Sequence, residues 1–214
     1  MKRMTLLARR DGLSTSDFRS HWAGPHAALA LGMEGISQYT HNRVDKVLWS
    51  TQSPPTFTVD GIVELYFRDD AAMRQAQASP TGQRHIPADE PLFLKGWTLC
   101  IVETEGREPP ARGARAKVVI PFLLGGQPRE RFGRAFAQYA DGAGLPFALN
   151  WTVSTARRER LWSEPQPPDG FAVLWLASVA DAHDALVDES PLCRLLAAHA
   201  HAATAYLIDE LVIR

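Results

Sequence analysis

Histidine, carboxylate and tyrosine side chains in the first half of the chain are spaced to move protons on an organic molecule. His26 follows Phe18 and Trp22 at intervals of four residues, so a helix places all three on one stripe. An imidazole walled by apolar groups titrates below its ordinary value of about 6.5 and is a neutral base at pH 7. Glu64 stands mid-strand in Ile62-Val63-Glu64-Leu65-Tyr66, where alternation puts Ile62, Glu64 and Tyr66 on one face. A carboxylate on a covered face must be paired, protonated or wet. The expectation is that His26 and Glu64 converge, with His26 as general base and Glu64 orienting it or relaying its proton. An ion pair between Glu64 and Arg43 is the plainer alternative. Tyr39 is expected to stabilise developing negative charge, as in an oxyanion site. Trp22, Tyr66, His41, Asp89 and Phe93 are candidates to line the substrate pocket. His21, one position from Trp22, is expected on a solvent-facing side of the helix.

Other chemistries lack support. Cys100 and Cys193 form neither a metal-ligand spacing nor a disulfide framework. His199 and His201 diverge if helical, so no metal site is expected. No glycine-rich nucleotide motif follows a strand, and no cofactor is expected. The formal net charge is -1, which gives no broad pull towards nucleic acid or membrane. Basic clusters at Arg112 to Lys117 and Arg157 to Arg160 read as a linker and a solvated strand end or turn. No stretch approaches the roughly 20 apolar residues that span a bilayer. The basic N-terminus lacks a long apolar run, so a cytoplasmic protein is expected.

The elements that must position these residues recur along the chain. A strand over 2–8 precedes a helix from about Asp17 to Leu31, capped by Ser14, Thr15 or Ser16 and kinked near Ala23-Gly24 by Pro25. Strands over 36–48 and 61–68, a helix after Asp69-Asp70, a polar segment from Thr81 to Pro91 and a strand over 95–104 follow. Glu105 to Arg115 reads as a linker. Strands over 116–124, 146–156, 170–178 and 205–213, with helices over 128–140, 180–188 and 191–202, repeat the order. The repeat keeps the apolar frame and drops the polar groups: Ala140 stands where His26 stood, and Val173 where Glu64 stood. Each half is therefore expected to be a βαββαβ unit, residues 1–105 with the site and 116–214 without it, joined by a linker over 106–115. The expected fold is α+β: two tandem ferredoxin-like halves packed sheet to sheet as a pseudo-dimeric α/β barrel.

Several short motifs, in order, resemble the EthD family of the dimeric α/β-barrel superfamily. They are Leu6-Leu7-Ala8-Arg9-Arg10, Phe18 to His26, Tyr39 with Asn42, Asp60-Gly61-Ile62-Val63-Glu64-Leu65-Tyr66-Phe67, and Ala88-Asp89-Glu90-Pro91-Leu92-Phe93. The resemblance implies a cofactor-free small-molecule site between helices and sheet. Lactone isomerases, polyketide cyclases, decarboxylases and dehydratases of aromatic intermediates belong to this family and its relatives, so a lyase, isomerase or cyclase is implied. A non-catalytic ligand-binding protein of a degradation pathway is the alternative. Members pair as homodimers of one unit; a fused chain could pair again as a homodimer of pseudo-dimers. Heme occurs in some relatives, with His26 as the conceivable ligand here.

Overall fold

The computed structural model describes residues 1–107, 116–162 and 166–214. The linker expected over 106–115 lies, from residue 108 on, outside them. Eight strands, β1 (Lys2–Arg9), β2 (Ile36–Ser50), β3 (Gly61–Phe67), β4 (Leu94–Arg107), β5 (Ala116–Leu123), β6 (Phe147–Trp162), β7 (Gly170–Leu176) and β8 (Ala202–Val212), close into one barrel. Their order around it is β1-β3-β2-β8-β5-β7-β6-β4, and neighbours run antiparallel.

This corrects the expected pair of separate sheets packed face to face. β2 pairs with β8 from Thr40↔Val212 to Ser50↔Thr204, and β4 pairs with β6 from Gly96↔Trp162 to Arg107↔Phe147. The first four strands and the last four are thus hydrogen-bonded along two seams, edge to edge. The physical reason is the cost of open edges, whose backbone N–H and C=O groups lack partners. β2, β4 and β6 run 15, 14 and 16 residues, far longer than the 7 of β3, and the extra length makes the seams. β6 runs well past the 156 at which a strand was expected to end.

Alternation sorts the strand residues into three cores. Met4, Leu6, Ile62, Cys100, Val119, Phe171 and Tyr206 fill the barrel interior. Leu7, Val63, Leu65 and Leu99 face outward and meet Phe18, Trp22, Ala27 and Ala30. Val118, Ile120, Phe122 and Leu174 face outward beneath Phe132, Phe136 and Leu196 of α5 (Arg129–Gly142) and α7 (Pro191–His199).

The helix over the first outer core is continuous but not uniform. Ser14 caps α1 (Thr15–His21) by accepting from the Asp17 backbone N–H at 3.0 Å. A single π-helical turn, Trp22–His26, follows, and then α2 (Ala27–Leu31). Pro25 has no N–H to give, so the helix widens there instead of breaking. α3 (Asp70–Ala78) is capped by Asp69. A second π turn, Thr81–His85, leads into α4 (Ile86–Phe93), where a polar segment was expected. Pro87 in its first turn suits a helix start and disguises the helix in sequence. α6 (Val179–Ala185) lies outside β7. Among the described residues no helix is long and apolar enough to cross a membrane.

Candidate functional site

The π turn and α4 place the chemistry. His26, last residue of the π turn, contacts Asp89 of α4 through Nδ1 at 2.8 Å. His21 reaches the other Asp89 oxygen through Nε2 at 2.9 Å. Phe93, one helical turn after Asp89, packs against both rings, 4.8 Å from His21 and 4.9 Å from His26. Burial alone would raise the Asp89 pKa, but hydrogen bonds from His26 and His21 outweigh it and hold the carboxyl below its ordinary value. Asp89 is therefore ionised, accepts at both oxygens, and fixes His26 as the tautomer with Nδ1–H. In the neutral ring the lone pair then lies on Nε2. The His26 side chain is 13% exposed and lines a cavity of about 260 Å³ between helices and sheet.

The polar lining of that cavity includes Arg3 and Thr5 of β1, Tyr39 of β2, Glu90 of α4 and Arg158 of β6. Leu7, Val63, Leu65 and Leu99 give it an apolar floor. Glu90 is 2% exposed and pairs with Arg158 at 2.9 Å. Burial pushes the Glu90 carboxyl up, and the Arg158 guanidinium only partly offsets this. Arg158 also lies over the Trp97 ring at 4.6 Å. Tyr39 is buried, which raises its pKa; Trp22 and Arg3 offset only part of that, so its hydroxyl stays protonated. The site thus brings together an oriented base, a carboxyl with raised proton affinity, a phenolic donor and the guanidinium groups of Arg3, Arg157 and Arg158.

Several sequence expectations are corrected here. Glu64 does not meet His26. It faces the barrel interior and accepts from Lys2 and Lys117 Nζ, each at 2.9 Å, and from Asn42 Nδ2 at 2.9 Å. The sheet stands between the two groups: Glu64 points inward, whereas Val63 and Leu65 join the core beneath the helices. The partners of Glu64 are lysines, not Arg43, which pairs with Asp209. Burial would raise the Glu64 pKa, but Lys117 and Lys2 overcome it and drive it far below the ordinary range. Tyr66 shares that inward direction, with Lys2 Nζ 5.1 Å from its ring centre, and does not line the cavity.

Trp22 and His41 also lie outside the cavity lining. They stack on each other with ring centres 3.9 Å apart, fully buried, and the Tyr39 ring centre lies 4.7 Å from that of His41 at a steep angle. Burial, with smaller contributions from the His26 and Arg43 charges, lowers the His41 pKa to about 3. Asp89 and Phe93 stand behind His26 and orient it. His21, expected in solvent, is the second donor to Asp89. Of the eight expected site residues, His26 and Tyr39 line the cavity itself.

Arg3, Thr5 and Arg158 escaped the sequence reading of the pocket, and Glu90 entered it only as part of the Asp89-Glu90 pair. Glu90 had a signal, since it follows Asp89 directly. Arg158 sat in a basic run read as solvated, and it comes from the part of the chain expected to carry no site residue. The two cysteines are buried thiols, and burial raises Cys100 to about 12. Among the described residues no cluster of metal-ligating side chains occurs.

Comparison with known proteins shows likenesses of domain and of fold. Residues 10–96 match the model of the EthD domain. No curated protein matches the chain in sequence. Among solved structures, an anthrone oxidase-like protein is similar with a TM-score of 0.63 at 10% identity, covering 99% of this chain and 92% of the other. A protein assigned as a monooxygenase from Lactobacillus acidophilus NCFM has a TM-score of 0.54 at 10% identity, covering 99% and 94%. A variant chlorite dismutase from Candidatus Nitrospira defluvii has a TM-score of 0.50 at 12% identity, covering 97% and 91%. At such identities the likeness is one of fold. The helices and strands that build the cavity fall mostly within residues 10–96, the stretch that matches the EthD domain.

Proposed function

We propose that the protein is an enzyme that removes a proton from a small, largely apolar, oxygenated molecule, with His26 as general base. The observation that carries this reading is the 2.8 Å contact between His26 Nδ1 and Asp89, which leaves Nε2 as the basic nitrogen beside the cavity. The Tyr39 hydroxyl, held in its protonated form, can donate to an enolate or phenolate oxygen as charge develops. Glu90, with its raised proton affinity, is suited to return a proton elsewhere on the molecule. Proton transfer of this kind opens isomerisation, cyclisation, dehydration and decarboxylation alike. The names borne by proteins of similar fold (anthrone oxidase-like, monooxygenase) add to that list oxidation of the deprotonated molecule, with dioxygen as the co-substrate that takes up its electrons. Proton transfer needs no cofactor.

The test has two steps. A thermal-shift screen of hydroxyaryl ketones, lactones and 1,3-dicarbonyl compounds first identifies ligands. Each ligand is then incubated with the protein in D2O and followed by NMR for loss of C–H signal. The expected result is exchange with the wild type and about 10²–10⁴-fold slower exchange with His26→Ala. Ligands that bind yet exchange equally slowly with both proteins would show a binding protein instead.

A further inference from the structure

The cavity floor carries two polar groups, Arg3 Nε and the Thr5 hydroxyl, that find no hydrogen-bond partner among the described residues. Arg3 and Thr5 are two apart on β1, so both face outward, and both line the cavity. The Thr5 hydroxyl has no hydrogen-bond partner among the described residues, although Thr5 is only 1% exposed. Nε of Arg3 likewise lacks one. The Arg3 guanidinium lies 5.8 Å from the Phe67 ring centre, and its charged neighbours are Glu90 and Arg158. Glu90 is already bound by Arg158 at 2.9 Å. Three arginines, Arg3, Arg157 and Arg158, therefore line with one carboxylate, Glu90, a space walled by Leu7, Val63 and Leu65. A buried hydroxyl and a buried guanidinium Nε–H without acceptors are unfavourable unless something supplies the acceptor.

We infer that the molecule bound in this cavity is a small organic acid, whose carboxylate sits on Arg3 with Thr5 donating to it. A guanidinium presents parallel N–H donors that match the two oxygens of a carboxylate. The cavity falls below the range of roughly 300–1,000 Å³ typical of drug-sized ligands, which suits a single ring or short chain. The apolar floor takes the body of the molecule, and its acidic proton is turned towards His26. The inference rests on the reading of this cavity as the reaction site, but its test does not depend on turnover.

The probes are benzoate, phenylacetate and 2-hydroxybenzoate, each compared with its carboxamide by calorimetry on the full chain. Carboxylates should bind at least about tenfold tighter than the matching amides, as loss of charge-assisted hydrogen bonds implies. Arg3→Met should bring each carboxylate down to the level of its amide, and Thr5→Val should narrow the gap severalfold. His26→Ala should keep the preference while losing proton exchange. Should Arg3→Met not fold, the wild-type comparison and Thr5→Val decide. Equal or absent binding of acid and amide by the wild type, or an unchanged preference in folded Arg3→Met, overturns the inference. Neither result touches the assignment of His26, which fails instead if His26→Ala retains exchange.

Discussion

At the scale of single residues, the site depends on which hydrogen bonds fix a ring. Asp89 holds His26 from behind, so Asp89→Asn should leave the fold intact and slow proton exchange by roughly 10–100-fold, by analogy with the loss seen when a group that orients a functional histidine is removed. A wild-type rate would place the base elsewhere. His41 gives a prediction of another kind. Its folded pKa of about 3 lies below its unfolded value, so the unfolded chain binds the extra proton first as pH falls. The stabilisation it contributes is complete above about pH 6.5 and is lost on acidification towards 3. Between pH 7 and pH 4.5 the loss is about 2–3 kcal/mol. Urea denaturation at the two pH values should show this dependence in the wild type and a flatter one in His41→Phe, which keeps a ring against Trp22. Equal slopes would mean that His41 is hydrated.

At the scale of elements, one close approach and one strand decide whether the site assembles. Gly61 opens β3 directly beneath the Trp22 ring. A Cβ there would lie 2.5 Å from Cζ3 of an indole that is fully buried. Gly61→Ala should therefore cost about 1–3 kcal/mol and push the π turn carrying His26 outward. The expected readout is a lower melting temperature together with reduced exchange activity; an unchanged melting temperature would show that the helix gives way freely. β6 matters because it carries Arg158 across the seam to Glu90. Arg158→Met removes the ion-pair partner of a buried carboxyl, and Glu90→Gln in addition should recover most of the stability lost, since the double variant no longer holds that carboxylate. Additive losses in that cycle would rule out coupling between the two.

At the scale of the whole molecule, the barrel separates two polar systems by the thickness of its wall. Lys2, Glu64, Lys117 and Glu210 form an ion-pair chain on the inner side, with Lys117 2.6 Å from Glu210. His26, Asp89, Glu90 and Arg3 lie on the outer side under the helices. Glu64→Gln takes the shared carboxylate from two lysines that are nearly inaccessible, so a loss of about 3–5 kcal/mol is expected even though Lys117 keeps Glu210. Exchange activity per folded molecule should stay near wild type, because no inner group reaches the cavity. Loss of activity at full stability would return Glu64 to the catalytic set.

Much of this was legible in the residue order. Period-two runs marked the strands, the spacing of Phe18, Trp22 and His26 turned the imidazole towards the sheet, and the run from Ala88 to Phe93 drew attention to Asp89. Alternation also set Glu64 and Tyr39 on faces of their strands, but it could not tell which face was the barrel interior, because both sides are apolar. Only closure decided that. Joining β2 to β8 and β4 to β6 gave the sheet an inside, sent Glu64 there, and carried Arg158 from more than sixty residues away to Glu90. Local periodicity fixes the side of a strand on which a side chain stands. What lies on that side depends on contacts between segments far apart in sequence, and those are set by burial and edge pairing of the whole chain.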